Sequence, residues 1–328
     1  MLITRTPYRF SLYGGGLDYP QWYKNNQAKI LCAGLDYYCY QTIRELPPFF
    51  SHKYRACYSK VENAKYIDDI EHPSIREVFR KHAQGKSLEI SHIGDLPARS
   101  GIGSSSAFTV GLIASLLALN GKFLGRSELA QEAIRIEQDI IKEDVGFQDQ
   151  CAAAFGGLVY IEADKEIISP RKFIASKEYK KYISSCLLMG FDGVSRLSSE
   201  FSKKTCKSIE EFNNKSLMNE LLSITEEGIN AFGNEEDIDY HARITKESRD
   251  IKLTLNGDSS CDRTIDLIQA TEKAGSLCTR IMGAGGGGFF VCWAPPEKHQ
   301  EIKQSVSVRT WVDVRFSSIG SHVIFTEN

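Results

Sequence analysis

Apolar and polar positions alternate through residues 2–12, the period of a half-buried strand, and three glycines at 14–16 end the run. Residues 29–43 are rich in aromatic and β-branched side chains and predict one or two further strands. Residues 44–72 are polar and irregular, with Pro47-Pro48 among them, and predict loop. The His72-Pro73 step introduces a helix over 74–82; a short strand over 88–93 and a loop over 96–103 follow. Residues 104–119 are small or apolar at every helical phase, which predicts a helix buried all round. Another helix begins near Ser127, with Glu128 in its first turn, and runs to about residue 142. Residues 152–161 lead into a strand through Gly156-Gly157.

The second half is more helical. A strand over 186–191 precedes helical patterns at about 195–205, 209–232, 238–254 and 261–274. A glycine-rich stretch at 283–288 opens a strand over 289–294, and Pro295-Pro296 starts another helix. Closing strands fall near 306–314 and 321–325. No internal repeat or low-complexity linker interrupts this order. The change of character places a domain boundary between residues 164 and 183, giving domains over 1–175 and 176–328.

Composition narrows the function classes. A net charge of -2 with dispersed Lys and Arg leaves no nucleic-acid footprint and no basic membrane patch. The longest apolar run, 107–119, is shorter than the ~20 residues that span a bilayer. The N-terminal residues lack the charged-then-apolar layout of a secretion signal, so the expected location is the cytoplasm. Nine cysteines, odd in number and irregularly spaced, predict buried free thiols. No mixed Cys/His cluster suggests a zinc site built by the protein. The sequence is silent on oligomeric state.

Three separated glycine-rich stretches carry the chemistry. In the first, the strand through Arg9 ends in Gly14-Gly15-Gly16, and Asp18 follows. Glycines permit close backbone approach, and an acid just beyond them is placed to accept hydrogen bonds from sugar hydroxyls. A plain tight turn also explains this stretch. The second runs Pro97-Ala98-Arg99-Ser100-Gly101-Ile102-Gly103-Ser104-Ser105-Ser106 into a helix. Free N–H groups and the helix dipole attract phosphate there, and serine hydroxyls add hydrogen bonds or a metal ligand. It is no Walker A loop, because the G-K-[ST] ending is absent. The third, Gly283-Ala284-Gly285-Gly286-Gly287-Gly288, contains G-x-G-x-x-G but precedes a strand, not the helix that a dinucleotide fingerprint requires. Close approach to a ligand or to another loop is its simplest explanation.

Two acids lie between the second and third stretches. Ala130, Ala133, Ile134 and Ile141 form an apolar stripe at helical spacing, and Glu137 falls on it. A carboxylate there needs a cation or donors, so metal coordination is one reading and a partly exposed position at the stripe's margin the other. Asp149 lies in a polar break between that helix and a run of small residues, a frequent place for a catalytic acid and equally for an ordinary turn residue.

Together these segments resemble the GHMP kinase superfamily (galacto-, homoserine, mevalonate and phosphomevalonate kinases). Their order and spacing match over nearly the whole chain. The resemblance implies an α+β, two-domain fold with the active site in the inter-domain cleft, and an ATP- and Mg²⁺-dependent transfer of phosphate to a sugar or sugar phosphate. It implies that Pro97, Gly101, Gly103, Ser104, Ser105 and Ser106 bind ATP, and that Ser105 and Glu137 hold Mg²⁺. Asp149 matches the family's catalytic acid and Arg9 its basic companion. Phosphoryl transfer needs charge neutralisation, in-line positioning and a group that accepts or steers the hydroxyl proton. Arg9 would favour the ionised form of Asp149, which would then orient the hydroxyl more than act as a strong base. Gly15, Gly16 and Asp18, with Gly283, Ala284, Gly285 and Gly286, would line the substrate side.

Galactokinases carry a Glu-His pair where this chain has Gly15-Gly16, which argues against galactose. The triple glycine before Asp18 and the Gly146-Phe147-Gln148-Asp149-Gln150 segment resemble the heptose and fucose kinase branch, which phosphorylates the anomeric hydroxyl. The implied substrate is D-glycero-D-manno-heptose 7-phosphate, used in nucleotide-heptose synthesis. Fucose or another sugar is the alternative within the kinases, and a catalytically silent sugar-sensing homologue the alternative outside them. Leu17 departs from the branch, which usually has Thr there. Arg196, at the start of a second-domain helix, is a candidate for a distal phosphate.

Overall fold

The computed structural model describes residues 1–193, 198–211, 214–256, 262–283 and 287–327. The first half runs β1 (Leu2–Tyr13), α1 (Pro20–Tyr23), β2 (Gln27–Glu45), β3 (Tyr54–Cys57), β4 (Val61–Ala64), α2 (Pro73–His82), β5 (Leu88–Gly94) and α3 (Ser104–Leu119). It continues through α4 (Arg126–Ile134), α5 (Gln148–Phe155), β6 (Leu158–Asp164) and β7 (Ile167–Lys172). The second half runs α6 (Lys177–Ser185), β8 (Leu187–Phe191), α7 (Ser198–Glu210), α8 (Lys215–Gly233), α9 (Ile238–Asn256) and α10 (Asp262–Lys273). β9 (Cys278–Ile281), β10 (Phe289–Trp293), α11 (His299–Ser305), β11 (Thr310–Asp313) and β12 (His322–Thr326) complete it.

The aromatic, β-branched run near residue 35 forms one 19-residue strand, β2. β1 lies antiparallel along one side of it. On the other side its first half pairs with β6 and its second half with β5. The small-residue helix α3 packs across β1 and β2. Phe10, Val110, Leu112, Ile113 and Leu116 are fully buried in that layer. Each such side chain contributes roughly 1.5–3 kcal/mol relative to an exposed one. The second sheet is antiparallel in the order β11-β8-β10-β9. α8 packs on α9 and reaches back to β2, so the helices of the second half close one side of the first sheet.

Four local expectations are corrected. Residues 44–72 hold the short hairpin β3–β4, which the polar sequence disguised because each strand is only four residues long. The small residues from Cys151 to Ala154 are helical and belong to α5, so Asp149 sits in a helix's first turn and not in a loop. The long pattern read as one helix over 209–232 is divided between the end of α7 and α8. The helix beginning at Arg126 turns π-helical over residues 135–140, and the wider turn carries Glu137. Such π turns recur at functional sites.

The sequence boundary assigned everything beyond residue 175 to the second domain. β12 nevertheless pairs with β1 at the edge of the first sheet, with Leu2 opposite Thr326. Phe316 bridges Leu35 in the same layer. Among the described residues eight cysteines are free thiols, and no helix is long and apolar enough to cross a membrane.

Candidate active site

A cleft of about 280 Å³ opens between the first sheet's helices and α7–α10. Its first-domain wall includes Arg9, Gly15, Gly16, Asp18 and Asp149, and its second-domain wall includes Thr205, Leu221, Lys252 and Arg280. Residues read from distant parts of the sequence therefore face one space.

The glycine- and serine-rich loop ahead of α3 is positioned from both sides. Arg9 N–H donates to the Ile102 carbonyl at 2.9 Å, and Arg9 Nη1 donates to the Gly101 carbonyl at 3.0 Å. On the far side Met282, Gly283 and Gly288, at the two ends of the third glycine stretch, pack on the second. A Cβ on Gly101, which has φ of +83°, would lie 2.4 Å from the Met282 carbonyl oxygen. Phe289 N–H donates to the Ser100 carbonyl at 3.0 Å. Close approach of one loop to the other thus accounts for Gly101, Gly283 and Gly288. Gly101, Gly103, Ser104, Ser105 and Ser106 line the cleft at the start of α3. Pro97 lies outside it, exposed, and its carbonyl accepts from Ser100 Oγ at 2.5 Å.

Arg9 and Asp149 form a two-pronged pair, Nε to Oδ1 at 2.5 Å and Nη2 to Oδ2 at 2.8 Å. Burial opposes the charge on Arg9, but the Asp149 carboxylate outweighs it and keeps the guanidinium above its ordinary value. Asp18 is buried, and its Oδ1 accepts from Gly16 N–H at 2.9 Å. Burial raises its pKa against that hydrogen bond. Gly146 makes its position possible, because a Cβ there would lie 1.8 Å from Asp18 Oδ2. Leu17 is fully buried and contributes nothing polar to the cleft.

Glu137 is fully buried beneath the loop. Its Oε2 accepts from Ser106 Oγ at 2.8 Å and from Gln150 Nε2. Its Oε1 makes no well-aligned hydrogen bond, the Thr109 hydroxyl also acts on the carboxylate, and burial pushes its pKa up to about 7. A carboxylate oxygen without a well-aligned partner, beside a serine hydroxyl, fits a hard divalent cation, which takes oxygen ligands. The structure sets Ser106 against Glu137 and leaves Ser105 exposed at the cleft. Among the described residues no group of three His, Cys, Asp or Glu gathers to hold a metal. A single carboxylate with substrate phosphates is the pattern Mg²⁺ uses.

Gly283 lines the cleft beside Gly101, while Ala284, Gly285, Gly286 and Arg196 lie outside the described residues. Lining residues to which the sequence assigned no role include Gln148, Lys252 and Arg280. Gln148 is buried, and its Oε1 lies 3.5 Å from the point a Cβ on Gly15 would occupy. Its neighbour Asp149 drew attention in the sequence; Lys252 and Arg280 are single charges in amphipathic surroundings and gave no signal.

Comparison with known proteins bears on this arrangement. Residues 72–157 match the GHMP kinases N terminal domain, and residues 229–312 match the GHMP kinases C terminal domain. The chain belongs to the GHMP kinase family. It is an ATP-dependent kinase. It is 24% identical over 320 residues to the D-glycero-alpha-D-manno-heptose 7-phosphate kinase of Campylobacter jejuni, covering 91% of each chain. It is 25% identical over 248 residues to the mevalonate kinase of Thermococcus sibiricus, covering 72% of this chain and 68% of that one. The crystal structure of a D-glycero-D-manno-heptose 1-phosphate kinase from Bacteroides thetaiotaomicron shares the fold over 100% of both chains, with a TM-score of 0.79 and 20% identity. The two-domain α+β architecture is that of the GHMP kinases.

Proposed function

We propose that this kinase transfers the γ-phosphoryl group of MgATP to the anomeric hydroxyl of a heptose, with D-glycero-D-manno-heptose 7-phosphate as substrate. The observation that carries the reading is the Arg9–Asp149 pair, which shares one cleft with the phosphate loop and with Asp18.

The loop's N–H groups at the start of α3 receive the nucleotide phosphates. Glu137 and Ser106, with Ser105 at the cleft surface, are the residues that would hold Mg²⁺. The ion, when bound, supplies charge neutralisation on the phosphate oxygens. Asp149 orients the acceptor hydroxyl and takes its proton as the sugar oxygen bonds to the γ-phosphorus. The bond from that phosphorus to the bridging oxygen breaks, and ADP leaves with the electron pair. Arg9 holds the carboxylate in place through two hydrogen bonds and puts positive charge beside the transferring group. Asp18 and Gln148 line the same cleft and present acceptors to other sugar hydroxyls.

Support for a heptose comes from the Campylobacter jejuni relative, which aligns over 91% of both chains, where the Thermococcus sibiricus mevalonate kinase covers 72% of this one. Buried Leu17 favours a second reading, a deoxysugar such as fucose, since that position offers no hydroxyl contact. ADP release with MgATP and a panel of heptose 7-phosphate, free heptose, mannose, fucose, galactose and mevalonate decides between them. Turnover on heptose 7-phosphate, lost in Asp149→Asn, is the expected result. Turnover confined to fucose would replace the substrate, and turnover confined to mevalonate would remove the sugar reading.

A further inference from the structure

Two cations in the cleft have no part in the transfer step. Lys252 on α9 and Arg280 on β9 are both half-buried in its wall. The other cleft arginines of the interior are matched by acids: Arg9 by Asp149, and Arg249 by Glu272 and Asp250. Among the described residues Lys252 makes no ion pair or hydrogen bond. Arg280 donates to the Ser11 carbonyl and lies over the Phe10 ring at 5.8 Å, but among the described residues it meets no carboxylate, and its Nε is buried without a partner there.

Both cations converge on the end of β1. Arg280 reaches it at Ser11, and Lys252 Nζ lies 3.6 Å from the point a Cβ on Gly15 would occupy. The acid that acts on Lys252 is Asp18, and one of its oxygens is already engaged by Gly16 N–H. Two positive groups against one committed carboxylate leave an excess of positive charge. The neighbouring wall is apolar, with Met218, Leu221 and Ile268. Cations withdrawn from water without partners are costly unless an anion joins them.

We propose that Lys252 and Arg280 form an anion subsite that takes the distal phosphate of a sugar-phosphate acceptor while the sugar's free hydroxyl faces Asp149. The inference rests on the sugar-kinase reading above and adds the residues that select a phosphorylated acceptor. A planar guanidinium and a point-charge ammonium converging on one space suit a phosphate, which accepts from both at once. Burial among like charges holds Lys252 down at about 7 and Arg280 at about 10, the state expected of cations awaiting an anion. The absence of side chains at Gly15 and Gly16 leaves the approach to Lys252 open.

The test measures binding of inorganic phosphate by calorimetry to protein saturated with Mg²⁺ and a non-hydrolysable ATP analogue, so that the nucleotide loop is already filled. Wild type should bind phosphate, and Lys252→Met and Arg280→Met should each weaken binding at least tenfold. Lys252→Arg, which keeps the charge, should retain most of it and guards against misfolding as the cause. In turnover assays the two Met variants should lower the ratio of kcat/KM for heptose 7-phosphate to that for free heptose at least tenfold. Phosphate binding that is absent from wild type or unchanged in both Met variants would overturn the subsite. So would a raised KM for ATP with an unmoved KM for the sugar phosphate. Phosphate binding that depends on Lys252, in an enzyme that ignores every sugar offered, would overturn the sugar reading and leave the subsite standing.

Discussion

Arg9 grips both oxygens of Asp149, at 2.5 and 2.8 Å, while its remaining nitrogen holds the Gly101 carbonyl. One side chain therefore fixes the Asp149 carboxylate relative to the glycine-rich loop ahead of α3. Asp149→Asn keeps the shape and one acceptor but cannot take the hydroxyl proton. Its kcat should fall on the order of 10²–10⁴-fold with ATP affinity little changed, measured by steady-state ADP release. A kcat within threefold of wild type would remove Asp149 from the proton's path.

Glu137 presents an oxygen without a well-aligned partner next to Ser106. Glu137→Gln preserves volume and an acceptor for Ser106 but removes the negative charge a cation needs. The Mg²⁺ concentration for half-maximal rate should rise roughly tenfold or more. A Mg²⁺ titration that superimposes on wild type would mean the carboxylate serves only the packing under the loop.

Gly146 touches Asp18 so closely that a methyl group cannot share the space. Gly146→Ala should displace Asp18 and destabilise the fold by about 1–3 kcal/mol, visible as a lower Tm. It should also raise KM for the sugar more than KM for ATP. Equal rises in both would place the damage at the cleft as a whole.

Lys252 sits near 7 where a free lysine stands at 10.5, so folding expels its proton between those values. The depressed group stabilises the fold only above its unfolded value, and that contribution is lost as pH falls through about 7. Lys252→Met should therefore unfold at a higher temperature than wild type at pH 6. The gain should be roughly 1–2 kcal/mol, a few degrees for a chain this long, and should close as pH approaches 10.5. Adding inorganic phosphate at pH 6 should shrink the gap by stabilising wild type alone.

Many of the residues that line the cleft could be singled out in the sequence because they fall in short contiguous segments. Residues 101–106 announce a phosphate loop through glycines and serines leading into an apolar helix, and Glu137 stands out as a charge on an apolar stripe. Which serine meets Glu137 was not legible, since α3 is buried all round and its composition sets no preferred phase. The π-helical turn at Glu137 was hidden because its apolar spacing also fits an α-helix. Lys252 and Arg280 are lone charges whose meaning comes from packing α9 and β9 against the end of β1. The hairpin β3–β4 is too short for its alternation to be read.

β12 is made about 300 residues after its partner β1, with most of the chain between them. During synthesis the first sheet stays one strand short until residues 322–326 have emerged. Until then Leu2, Ile3 and Thr4 present an open backbone edge to whatever is nearby. A message cut short ahead of residue 322 would leave both family domains in place and still yield a protein with that edge uncovered.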